Sequence, residues 1–188
     1  MAEISRSRCR WSHTGATKRV VWRTPYASQL SSSDIRSDHS VKSWRAPKAS
    51  HQDFQLATGS VEVKTTAAKQ PQSVRITSER QLDQTGIPAL FLHVVILDER
   101  VIEDDKKTTG ETLPEMEASL RALLKGDPLV EELFDDKLLD AGYLQADVPR
   151  YVSRRYSIRK ELTTRVDGDF PRLVEKDLPN GVEASLMR

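Results

Sequence analysis

The 188-residue chain has one cysteine, Cys9, so no internal disulfide can form and nothing points to an oxidising compartment. Its four histidines, at 13, 39, 51 and 93, are scattered and have no second cysteine to join them, which excludes the usual zinc spacings. Long apolar runs are also missing: the longest, Pro88 to Leu97, is broken by His93 and falls well short of the roughly 18 residues of a membrane span. Aromatics make up only 6% and charged residues 30%, with 37% apolar content, enough for one core. No internal repeat is visible.

A net charge of +1 conceals an asymmetry. Residues 1–50 carry ten Lys/Arg against three Asp/Glu, a net +7, so the rest of the chain carries −6. The first forty residues show no periodicity and are rich in Ser and Arg. They fit a disordered basic tail or nucleic-acid-binding arm, a transit peptide lacking its amphipathic face, or an upstream stretch read out of frame. Residues 1–43 are therefore separated from a folded unit, 44–188, with order expected to begin near Trp44.

The folded unit opens with "DFQLATGSVEVKTT", residues 53–66. Apolar and polar residues alternate on two short segments around Gly59, the signature of a hairpin with one core face. With Thr58 and Gly59 at the turn centre, Asp53 lies opposite Lys64 and Gln55 opposite Glu62, while Phe54, Leu56, Val61 and Val63 share the other face. Ser78 with Gln81 reads as a capping box opening a helix that Gly86 ends. "ALFLHVVILDE" is apolar on both faces, as a central strand would be. "EDDKKTTGE" reads as a charged loop. Thr112 and Glu115 cap a helix with Met116, Leu120, Leu123 and Leu124 inward, and Asp127-Pro128 opens another with Val130, Leu133, Phe134 and Leu138 inward, stopping at Gly142. "YVSRRYSIRKELTTRV" is a further strand and "DFPRLVEKDLPNGV" a loop. The pattern predicts an α/β fold with a mixed sheet flanked by helices.

The hairpin groups Asp53, Glu62 and Lys64 on one face. Two carboxylates and the Val63 carbonyl between them are oxygen donors of the type a hard divalent cation takes. A lysine one pleat along can bring its ammonium to an attacking water or to developing negative charge. Asp followed by Glu-x-Lys is common by chance, and a cross-strand ion pair worth roughly 0–1 kcal/mol is the plainer explanation. Arg154, Arg155, Arg159, Lys160 and Arg165 on the late strand, with Tyr151 and Tyr156 between, are candidates for gripping a DNA backbone, although alternation splits them between two faces and a solvated edge strand explains most of them.

The order Asp53, Glu62-Val63-Lys64, a helix from Ser78 and a strand from Ala89 resembles the core of the PD-(D/E)XK nuclease superfamily, the restriction-endonuclease-like fold. Gln52 stands where that motif often has proline. The stretches "VEVKTT", "SERQL", "GETL" and "DFPRL…LPNGV", with Trp44 and Pro47 ahead of "DF", resemble the bacterial family described as PD-(D/E)XK motif protein, from about Trp44 to Val182. The resemblance implies Asp53, Glu62 and Val63 as ligands of Mg²⁺ or Mn²⁺, Lys64 as base or water-orienting group, and Gln81 as a support to the site or a phosphate contact. It implies a cytoplasmic, metal-dependent endodeoxyribonuclease of restriction or phage-defence type, with DNA as substrate and other restriction or defence subunits as partners. The family's helical region ahead of the first strand, with its "GEL"-like helix, is not recognisable here. The copy is accordingly expected to be truncated or frame-disrupted, with the first layer over the sheet missing. An inactive remnant, a DNA-binding or scaffold subunit, and a regulatory domain with an ornamental charged hairpin are the alternatives.

Overall fold

A computed structural model describes residues 37–45, 51–102 and 109–171. Residues 1–36 of the basic tail, most of the acid-rich loop and residues 172–182 of "DFPRLVEKDLPNGV" lie outside the described residues. Four strands form one mixed sheet in the order β1-β2-β3-β4: β1 Phe54–Leu56, β2 Gly59–Thr66, β3 Leu90–Val101 and β4 Arg154–Val166. β1 and β2 are an antiparallel hairpin, β2 and β3 run parallel, and β3 and β4 are antiparallel with an irregularity between Ile96 and Leu97. The apolar strand expected to be central is β3. The α-helices among the described residues are α1 Ser37–Ser43, α2 Leu113–Leu124, α3 Pro128–Asp140 and α4 Val148–Tyr151. None of the described helices is long and apolar enough to cross a membrane.

The hairpin register differs from the expectation by two residues. Phe54 pairs with Val61 and Leu56 with Gly59, so Ala57 and Thr58 make the turn, and one further step sets Asp53 level with Glu62. Gly59 is not a turn residue but the first of β2, where a Cβ would lie 2.4 Å from the Ala89 carbonyl oxygen. Close approach of the chain entering β3 explains this glycine. Because side chains alternate with period two, a slip of two residues leaves every face assignment intact.

One face of the sheet carries Val61, Val63, Val95 and Leu97 beneath Met116, Leu120, Leu124, Val130, Phe134 and Leu138. Each such side chain, fully buried, contributes about 1.5–3 kcal/mol. α2 begins with a complete capping box: the Thr112 hydroxyl accepts from the Glu115 amide, and the Thr112 amide donates to the Glu115 carboxylate at 2.7 Å. That amide holds the Glu115 carboxyl below its ordinary range. Leu123, expected inward, is 67% exposed, because α2 buries the stripe Leu113, Met116, Leu120 and Leu124. α3 starts at an Asp127 cap with proline in its first turn, as the sequence implies.

Order begins before Trp44. α1 precedes it, Val41 is 1% exposed, and Trp44 bridges to Phe54 beside β1. A helix therefore does lie ahead of the first strand, and it joins α2 and α3 in covering this face of the sheet.

The opposite face is covered differently. A parallel pair requires a crossover, and residues 67–89 supply it with little regular structure beyond one 3-10 turn, Glu79–Leu82, where a helix ending at Gly86 was expected. Ser78 caps this turn by accepting from the Arg80 amide. Ile76 and Leu82 pack against Leu90, Leu92 and Val166 to form a second, smaller cluster.

Candidate active site

β2 places Glu62 and Lys64 on the crossover face while Val61 and Val63 face the helices. The Lys64 Nζ lies 2.7 Å from Glu62 Oε1, with side-chain exposures of 11% and 1%. This is a buried ion pair and not the wet surface bridge that the pattern alone would permit.

Asp53 enters from the bend ahead of β1 and is 6% exposed. Its Oδ2 accepts from the Val63 amide at 2.9 Å. β1 is only three residues long, so β2 runs on past its partner, and the Asp53 carboxylate supplies the acceptor that another strand residue would have offered. Asp53, Val63 and Glu62 are thus tied together by backbone register and by this hydrogen bond.

The 3-10 turn brings in Gln81. Its Oε1 accepts from Lys64 Nζ at 3.1 Å, from the Thr77 amide at 3.0 Å and from the Thr77 hydroxyl at 3.3 Å. Its observed contacts are with Lys64 and Thr77, not the reciprocal bond expected at Ser78. Gln52, 5% exposed, donates its side-chain amide to the Arg80 carbonyl at 2.9 Å and anchors the turn at the edge of the site. Gln52 was noted only as the residue at the motif's proline position, and Thr77 was not singled out from the sequence. Their only signal was adjacency to Asp53 and to Ser78, which carries no chemistry until the chain is folded.

His51 sits exposed in the bend. Arg154, Arg155 and Arg159 do not join the site. Across the sheet, Glu62 is level with Leu92 and Thr164, whereas Arg154 pairs with Val101, roughly 30 Å along β4 at a strand's rise per residue. Arg154 binds Glu99, Arg155 binds the Gly110 carbonyl and Glu115 (2.9 Å), and Arg159 lies 3.6 Å from Asp98.

The donors at the site are all oxygens. Among the described residues no group of three or more His, Cys, Asp or Glu could hold a metal; the oxygens here that could contribute to one are the Asp53 and Glu62 carboxylates and the neighbouring Val63 carbonyl. That set fits a small hard cation, which keeps waters and takes substrate phosphate oxygens beside one or two carboxylates; it does not fit a soft or all-protein site.

A family model described as "Putative PD-(D/E)XK family member, (DUF4420)" matches residues 28–185. Comparisons with curated proteins and with solved structures return no match.

Proposed function

Because the chain belongs to this PD-(D/E)XK family, we propose that it is a metal-dependent endodeoxyribonuclease of restriction or phage-defence type. In this reading Asp53, Glu62 and the Val63 carbonyl hold Mg²⁺, with Mn²⁺ as a substitute, and DNA is the substrate. The observation that carries it is convergence: the Asp53 carboxylate on the Val63 amide, the Glu62–Lys64 pair, and Gln81 on the lysine. An isolated surface ion pair explains none of the buried contacts around it.

A cation held there would supply charge neutralisation at the scissile phosphate and help activate the attacking water. The chain's own groups do the rest. Asp53 and Glu62 fix where that charge sits. The Lys64 ammonium, held from two sides by Glu62 and Gln81, is aimed at one point and orients the water or offsets the charge that develops on the phosphate oxygens. Leu82, the next residue after Gln81, anchors the turn by packing against Leu90, Leu92 and Val166.

A second reading, an inactive or purely DNA-binding relative, is supported by depth: Asp53, Glu62 and Lys64 are all nearly covered. Incubation of the full chain with supercoiled plasmid separates the two. Nicking with Mg²⁺ or Mn²⁺, abolished by EDTA and lowered about 10²–10⁴-fold by Lys64→Ala, is the expected result. A cooperatively melting chain that leaves the plasmid intact with either cation would select the inactive reading.

A further inference from the structure

The cations of β4 are not equivalent. Arg154, Arg155 and Arg159 face acidic side chains of their own chain, and Arg165 pairs with Phe91, which packs toward the helix layer. Lys160 alone combines three features: it is exposed, it has no ion pair or side-chain hydrogen bond among the described residues, and its register places it on the face that carries Glu62 and Lys64.

The register is specific. Lys64 is opposite Val94, and Val94 is opposite Leu162; two residues along, Thr66 is opposite Ile96, and Ile96 is opposite Lys160. Lys160 thus stands two strands across and two residues along from Lys64, a backbone separation of about 12 Å at ordinary sheet spacings. Leu162, between them at the open edge, is 44% exposed, so this side of the face is not sealed by the crossover.

We infer that Lys160 is a substrate-positioning residue, contacting a backbone phosphate that flanks the scissile bond and seating one DNA strand across β3 and β4. This rests on the nuclease reading for its scissile bond. The chemistry is that of an uncommitted ammonium with no competing carboxylate, which gains counterion release on binding a phosphate; the paired arginines must first give up a partner. A lysine on an edge strand also serves to discourage strand pairing between copies. That role predicts a change in self-association and none in DNA affinity.

The test is DNA binding by the full chain, read by fluorescence anisotropy on a labelled duplex in Ca²⁺ across a salt series, with cleavage kinetics in Mg²⁺ alongside. Lys160→Gln is expected to reduce the slope of log affinity against log salt by about 0.9 and to weaken binding several-fold. KM should rise in step while kcat stays within about twofold, the mark of lost uniform binding. Lys125→Gln, the same charge change at the exposed end of α2, should leave both readings unchanged. The inference is overturned if Lys160→Gln behaves as Lys125→Gln, if Arg154→Gln or Arg155→Gln carries the slope instead, or if the wild-type chain shows no salt-dependent DNA affinity. A wild-type chain that binds with a slope lowered by Lys160→Gln, yet cleaves nothing, removes the nuclease reading and keeps the phosphate contact.

Discussion

The two faces of this sheet are stabilised by different means. Under the helices, sixteen buried residues form one cluster, drawn from α1 to α4 and from all strands but β1, with Phe54 and Leu56 packed at its margin. Under the crossover the described apolar cluster is Leu82, Leu90, Leu92 and Val166, and beside it lie polar side chains: Glu62, Lys64 and Gln81 linked to one another, Asp53 on the Val63 amide and Gln52 on the Arg80 carbonyl. A sheet face can be closed by apolar packing or by mutual satisfaction of polar groups. The second is costly to assemble and worth keeping where the polar groups have work to do.

The largest stability effect should come from dividing the polar group. Glu62→Ala leaves the largely buried Lys64 ammonium without its 2.7 Å partner and should destabilise the fold by about 3–5 kcal/mol. Replacing both, Glu62→Met with Lys64→Met, should recover most of that loss or exceed the wild type, since a buried ion pair is often no more stable than an apolar pair of similar volume. Urea unfolding of the wild type and the two variants measures both terms. If the double variant is as unstable as Glu62→Ala, the pair is structural and the contrast between the faces collapses.

On the helix face, Phe134→Ala should cost about 3–5 kcal/mol, as a cavity in a close-packed cluster does. Leu82→Ala, under the thinner crossover, should cost about 2–3 kcal/mol, toward the low end for a leucine, because the irregular segment can settle into the space. It should also reduce cleavage, since Gln81 moves with its neighbour. Leu123→Ala, on the exposed side of α2, should stay within about 0.5 kcal/mol. Thermal melts rank the three; equal losses for Phe134 and Leu82 would mean that the crossover is packed as rigidly as the helices.

The same contrast explains what could be read from the sequence. Alternation in residues 53–66 was enough to group Asp53, Glu62 and Lys64 on one face, because that grouping depends only on parity. Pairing depends on where the turn lies, and Gly59 misled by marking a close approach to Ala89 and not the turn. Capping signals placed α2 and α3 because caps are local; Leu123 was assigned inward because a 3.6-residue pattern with apolar residues at 123 and 124 does not say which of them the packed layer will accept. Gln81 was singled out as a support, but its contact with Lys64 spans seventeen residues of sequence, and Gln52 reaches twenty-eight. Polar contacts over such separations leave no periodic trace, so the crossover face was the harder one to foresee.

A pH-dependent effect concerns a histidine on the helix face. His93, 2% exposed, lies opposite Val63 in β2 and Thr163 in β4; its Nδ1 is 2.8 Å from the Thr163 hydroxyl and its Nε2 3.9 Å from Glu161. Burial lowers the His93 pKa from its ordinary 6.5 and raises that of Glu161 from 4.5, so each group is pushed toward its neutral form. For His93 the folded state binds fewer protons than the unfolded one, so the stability it contributes is present above 6.5 and is lost as pH falls from there toward its folded value. Glu161 has the opposite slope: its contribution is present below 4.5 and lost as pH rises through its raised value. His93 is far more buried than the Glu161 side chain at 27%, so the histidine should dominate on the first step of acidification from neutrality. The melting advantage of wild type over His93→Gln should therefore shrink by a few degrees between about pH 7.5 and 5.5. A constant difference across that window would mean that His93 keeps its ordinary titration inside the fold. A shrinking one would show this face accommodating its polar group by neutralising it, where the crossover face does so by pairing.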